Sequence, residues 1–116
     1  MEPPKIVSVS NAEHYTWGQS SDGWHLLKHE ALCVIEEQMV PGSSEQLHFH
    51  HKAQQLFYIL SGEASFEINQ QPFHLHAGES LHIPPGTPHR IFNKGAAGLR
   101  FIVISSPPSH GDPENM

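Results

Sequence analysis

Gly42-Ser-Ser-Glu-Gln-Leu-His48-Phe-His50-His-Lys-Ala-Gln-Gln55 and, further along, Gly78-Glu-Ser-Leu-His-Ile-Pro84-Pro-Gly86-Thr-Pro-His89-Arg-Ile-Phe-Asn93 are the stretches on which the reading of this chain turns. His48 and His50 stand two apart, so on an extended strand both imidazoles leave from the same face. His89 belongs to the second stretch, and a strand that brought it alongside the pair would complete a metal site. Pro84-Pro85-Gly86 forms a stiff approach to His89, ending in the one residue type that turns freely.

Outward from these stretches, short β-like runs alternate with turn signals. The runs are Trp24–Lys28, Leu32–Val40, Leu47–His50, Leu56–Leu60, Ala64–Asn69, Phe73–His76, Ser80–Ile83, His89–Phe92 and Leu99–Ser105. They are separated at Pro41-Gly42, Ser61-Gly62, Gln71-Pro72, Ala77-Gly78, Pro84-Pro85-Gly86 and Lys94-Gly95. No segment keeps a helical period over three turns, so the expected fold is all-β, a sandwich or barrel. Residues 1–22 read as a peripheral N-terminal segment, with a strand-like piece at Ile6–Val9 and a polar stretch from Asn11 to Asp22. Residues 23–106 read as the barrel, and 107–116 as an exposed, stiff tail.

Around the run Leu56–Leu60, Gln55, Phe57 and Ile59 share one face and Leu56, Tyr58 and Leu60 the other. An amide in line with Phe57 and Ile59 faces the same interior and needs a polar partner there. Apolar residues on both faces suggest that the outer one is covered by another layer or another subunit.

The 116 residues suffice for one core but not for two ordinary domains, and the 37% hydrophobic content is workable given ten prolines and nine glycines at turns. Six Lys and Arg stand against twelve Asp and Glu, and the basic residues are scattered, which argues against a nucleic-acid partner. No apolar run reaches the length of a membrane span and no signal peptide is visible, so the expected location is cytoplasmic. Cys33, the only cysteine, lies among Leu32, Val34 and Ile35 and reads as a buried structural thiol.

Together the two stretches resemble the signature motifs of the cupin superfamily. Gly42, His48, His50 and Gly62 fit the first motif, and Gly78, Pro84, Gly86, His89 and Asn93 the second. The resemblance covers residues 42–93 and implies a double-stranded β-helix, a jelly-roll-like single-domain barrel, with a metal inside its mouth. It assigns ligation to His48, His50 and His89, and it aligns Gln55 with the motif's glutamate. Gln54 is no carboxylate either, so the chain departs from the family pattern whichever spacing is used. Three imidazoles and an amide would leave a divalent ion its full charge, favouring Lewis-acid work while removing the carboxylate best placed to shuttle protons. The expected cofactor is a divalent transition metal: Fe, Mn, Ni, Zn or Cu.

Met39, Phe57 and Ile59 are candidates for the pocket wall, and Gly42, Gly62, Gly78, Pro84 and Gly86 for structural turns. Of the remaining histidines, His51 has the parity of an outward residue. His74 and His76 share a face but lack a visible third ligand, and so read as a solvated strand face. His14, His25, His29 and His110 belong to no constellation. Glu36 and Glu37 are adjacent and should point to opposite faces, which rules them out as a catalytic carboxylate pair. The expected function is a metal-dependent enzyme of oxygenase, isomerase or lyase type acting on a small organic molecule. The alternative is a module that binds or senses a small ligand such as a sugar or organic acid. The expected assembly is a homodimer, with Ile6–Val9 available for strand exchange.

Overall fold

Eleven strands and no helix make up the described residues (3–18, 20–109 and 113–115) of a computed structural model. In chain order they are β1 (Glu13–Trp17), β2 (Ser21–Lys28), β3 (Cys33–Met39), β4 (His48–His50), β5 (Gln54–Ser61), β6 (Glu63–Ile68), β7 (Gln71–His76), β8 (Ser80–Ile83), β9 (His89–Phe92), β10 (Leu99–Ser106) and β11 (Pro113–Asn115). One six-stranded sheet runs β1-β2-β3-β10-β5-β8, and a five-stranded sheet runs β11-β4-β9-β6-β7. Every pairing within them is antiparallel. None of the described residues form a helix long and apolar enough to cross a membrane.

Period-two alternation builds the core. β10 buries Leu99, Phe101, Val103 and Ser105, and its register sets Val103 opposite Phe57 on one side and Ile35 on the other. From the second sheet come Ala64, Phe66 and Ile91, and Phe57 meets the Phe66 ring edge-on at 5.1 Å. Phe66, Phe101, Met39 and Ile59 are fully buried, so the aromatic and aliphatic residues of both sheets form one continuous apolar layer. Cys33 is buried as expected, and burial holds its thiol pKa above the usual value.

The fixed residues of the two motifs bond to one another. Gly42 N–H donates to Asn93 O at 2.8 Å, and Asn93 N–H donates to Ser43 O at 2.9 Å. The Asn93 side chain, 2% exposed, donates to Met39 O and Ala97 O and accepts from Gly95 N–H. Gly86 N–H donates to His50 O at 2.7 Å, fastening the loop before β9 to the strand that carries the first two histidines. The motif spacing therefore encodes a clasp between sequence-distant loops.

Three local expectations are corrected. Ile6–Val9 forms no strand, and Ile6 is 94% exposed; β-branched residues alone do not make a strand without a ladder partner. Within the stretch Asn11–Asp22, read as polar and peripheral, Glu13–Trp17 pairs with Ser21–His25 as a hairpin. Its alternation of polar with aromatic residues is a strand pattern masked by the charged members. The break placed at Gln71-Pro72 lies instead at Asn69-Gln70, both at positive φ, and Pro72 sits inside β7. β7 is an edge strand, where a residue without an N–H is tolerated. In the tail, β11 pairs with β4. His110 lies outside the described residues.

Candidate metal centre

β4 and β9 are neighbours, and His48 is paired directly with His89 in their register. The ring centroids of His48 and His89 are 4.5 Å apart, those of His48 and His50 4.9 Å, and those of His50 and His89 5.8 Å. Each of the three can offer one ring nitrogen such that all lie within 4.8 Å of one another. The ladder thus brings together three imidazoles from two stretches that are remote in sequence.

The outer ring nitrogens fix the inner ones. His48 Nδ1 lies 2.7 Å from Gln46 O and His89 Nδ1 2.8 Å from Thr87 O. A carbonyl only accepts, so each Nδ1 carries the proton and each Nε2 keeps its lone pair. His89 is 1% exposed, and its Nε2 has no hydrogen-bond partner among the described residues. Burial is the main reason its pKa is pushed down to about 4, with the neighbouring His48 and His50 adding to the effect, so the ring is neutral and ligand-competent at neutral pH.

Gln55, 7% exposed, donates through Nε2 to Ser105 Oγ at 3.1 Å, while its carbonyl Oε1 has no hydrogen-bond partner among the described residues. Two buried acceptors without donors, each beside the imidazoles of His48 and His50, suit a cation better than a neutral ligand. The donor set of imidazole nitrogens and an amide oxygen fits a divalent transition ion.

His48, His50 and Gln55 line a cavity of about 240 Å³ together with Tyr15, Ile35, Glu37, Glu45, Phe57, Val103 and Ser109. Of the residues expected on the pocket wall, Phe57 lines this cavity, whereas Met39 and Ile59 are fully buried in the core. Tyr15, Glu37 and Glu45 are the members that sequence reading missed. Glu36 and Glu37 do point to opposite faces: Glu36 pairs outside with Arg100 at 2.8 Å, and Glu37 turns into the cavity. Glu45, from the loop before β4, lines the same cavity.

Both carboxyls are altered by their surroundings. Burial pushes Glu37 up to about 7 against the Tyr15 hydroxyl, which donates to its Oε2 at 3.3 Å. Glu45 is pushed up to about 8, first by burial and then by the charge of Glu37, although Ile91 N–H donates to its Oε1 at 3.0 Å. Tyr15 is itself raised, by burial and by Glu37, and stays protonated. The parity of Glu37 with Ile35 and Cys33 was the available signal for an inward carboxylate. Nothing in the sequence announced that Glu45 would join it.

Residues 35–105 match the cupin domain family model. An uncharacterized protein of Methanocaldococcus jannaschii is 38% identical over 82 residues, covering 69% of this chain and 66% of that protein. An oxalate-binding protein of Thermotoga maritima is 33% identical over 85 residues, 69% of this chain and 70% of that one. The chain spans less than half the length of some other relatives. A crystal structure described as a predicted oxalate decarboxylase from Thermotoga maritima superposes with a TM-score of 0.82 at 25% identity, covering 90% of this chain and 100% of that one. With its double-stranded β-helix, its clasped motif loops and its family match over most of its length, this chain belongs to the cupin family.

Proposed function

We propose that the chain is a metal-dependent acid–base enzyme of lyase or isomerase type acting on a small organic acid. The observation that carries this reading is that Glu37 and Glu45, both titrating near neutrality, share one cavity with His48, His50 and Gln55. Gln55 removes the family's carboxylate from the metal set, and β3 and the loop before β4 each supply a carboxyl of their own to the same space.

In this reading His48, His50, His89 and Gln55 hold a divalent transition ion. Bound there, the ion supplies Lewis acidity and an undiminished positive charge. Phe57, Ile35 and Val103 form the apolar side of the cavity and limit water. In the metal-free cavity Glu45 is mostly protonated and Glu37 about half ionised at pH 7; a bound ion would lower both, and the pair is placed to offer one proton and accept another. The Tyr15 hydroxyl steadies the charged form of Glu37. A cationic centre suits a small carboxylate, and the relatives named for oxalate support that substrate class.

A second reading, a binding module without turnover, is favoured by the relative named as an oxalate-binding protein. Metal content of untagged protein, calorimetry with oxalate, and product analysis separate the two. Metal uptake with oxalate turnover, reduced roughly a hundredfold in Glu45→Gln at unchanged metal content, supports the enzyme. Oxalate binding without turnover supports the module, and failure to take up any metal overturns both.

The pairing of two chains is part of the proposal. Leu56, Tyr58 and Leu60 face outward beside Ile102 and Ile104 of β10, an apolar stripe with Tyr58 and Leu60 exposed. Light scattering that shows a dimer in the wild type and a monomer in Tyr58→Glu supports this face as the contact.

A further inference from the structure

We infer that the chain carries a second transition-metal site, on the outer face of the barrel, built from Glu63, His74 and His76. This inference does not depend on the cavity described above. His74 and His76 sit two apart on β7, and the β6–β7 register places Glu63 directly opposite His76 and Ser65 opposite His74. The third ligand that sequence reading lacked therefore arrives across the hairpin.

The geometry leaves room for an ion between the three groups. His74 Nε2 lies 3.5 Å from Glu63 Oε2, and His76 Nε2 lies 3.5 Å from Glu63 Oε1. A charge-assisted hydrogen bond between these groups would be closer to about 2.8 Å. Two ligand atoms on a tetrahedral zinc, with bonds of about 2.0–2.1 Å, stand roughly 3.4 Å apart. One donor atom from each of the three residues can be chosen so that all lie within 4.8 Å of one another. The imidazoles meet edge to face, with centroids 5.0 Å apart, so their inner nitrogens converge without stacking.

The far side of each ring faces an oxygen that can orient it, as in metal-bound histidines. His74 Nδ1 faces Ser65 Oγ at 3.4 Å. His76 Nδ1 faces Glu79 Oε1 at 3.4 Å, and the same oxygen accepts the His76 backbone N–H at 2.7 Å, which anchors the carboxylate. Both Nε2 atoms are thereby directed at one carboxylate. Two imidazoles and one carboxylate select zinc or a neighbouring first-row ion over magnesium or calcium. With three protein ligands on an exposed edge, at least one position stays open to water or to a ligand. Beside it runs a groove lined by Pro72, Phe73 and Phe92.

Zinc alone is the probe, with untagged full-length protein, equilibrium dialysis and elemental analysis. The wild type should hold one more zinc per chain than His76→Ala, and Ser65→Ala should weaken that extra step about tenfold. His76 is exposed, so His76→Ala should melt like the wild type after chelation, and circular dichroism checks both variants. Equal zinc content and affinity in wild type and His76→Ala overturns the site. Displacement of the extra zinc by millimolar magnesium overturns it too, since that outcome describes a diffuse carboxylate surface.

Discussion

Gln55 and Ser105 stand opposite each other on β5 and β10, and the 3.1 Å bond from Gln55 Nε2 to Ser105 Oγ settles which end of the amide is left without a partner. With the N–H end occupied, the carbonyl oxygen is the end available to a cation. Ser105→Ala should release the amide and weaken metal uptake about tenfold, the usual effect of losing a group that orients a ligand. Gln55→Glu should act in the opposite direction by adding a charge to the donor set. Competition titration against a chelator measures both. If Gln55→Glu leaves affinity unchanged, Gln55 is not a ligand.

Gly62 and Gly42 are both motif glycines, yet they should respond differently to alanine. A Cβ on Gly62 would lie 2.5 Å from Gly98 O, and its φ is +83°. At Gly42, φ is +84° but nothing lies within 4 Å of the added carbon. Gly42→Ala should cost about 1 kcal/mol from the backbone conformation alone. Gly62→Ala adds a clash between backbones that cannot move independently, and should cost roughly 2–4 kcal/mol. Urea denaturation of the two variants side by side gives the difference.

What the sequence made legible is what alternation and short-range turns control. His48 and His50 were placed on one face by their spacing, and the runs around Phe57, Phe66 and Phe101 follow the same period. The pairing of His48 with His89 was legible only through motif resemblance, because ladder register between remote strands leaves no local mark. Tyr15 was hidden in a stretch that looked polar. Glu45 sits in a loop, where side-chain direction follows no period, and its role depends on Glu37 arriving from another strand. His74 and His76 were visible as a pair, but their companion Glu63 became apparent only once the hairpin register was known.

The raised carboxyls give the metal-free protein an unusual pH response. Glu37 and Glu45 titrate at about 7 and about 8 in the folded chain, well above the ordinary glutamate value of about 4.3. Over that interval the folded state binds more protons than the unfolded state, so stability falls as pH rises. His89, depressed to about 4, acts the other way below its ordinary value of about 6.5, where stability rises with pH. Between pH 6.5 and 8 the carboxyls therefore dominate, and chelated protein should lose stability across that window. Glu37→Gln with Glu45→Gln should flatten the slope there. Thermal melts at half-unit pH steps test this, and an unchanged slope in the double variant would remove both groups from consideration.

Tyr15→Phe and Glu37→Gln should move the two cavity carboxyls in opposite directions. The Tyr15 hydroxyl donates to Glu37 at 3.3 Å, which favours the ionised form and restrains the rise caused by burial. Removing the hydroxyl should carry the Glu37 pKa above about 7. It should leave the cavity shape nearly intact, because the ring remains. Glu37→Gln takes a negative charge away from Glu45, whose own pKa is raised in part by that charge, so Glu45 should titrate below about 8. Carbon NMR of glutamate side chains resolves both shifts in metal-free protein. Under the acid–base reading, the alkaline limb of turnover should follow Glu45, moving down in pH for Glu37→Gln. A limb that stays in place while the NMR titration moves would separate Glu45 from the proton that turnover requires.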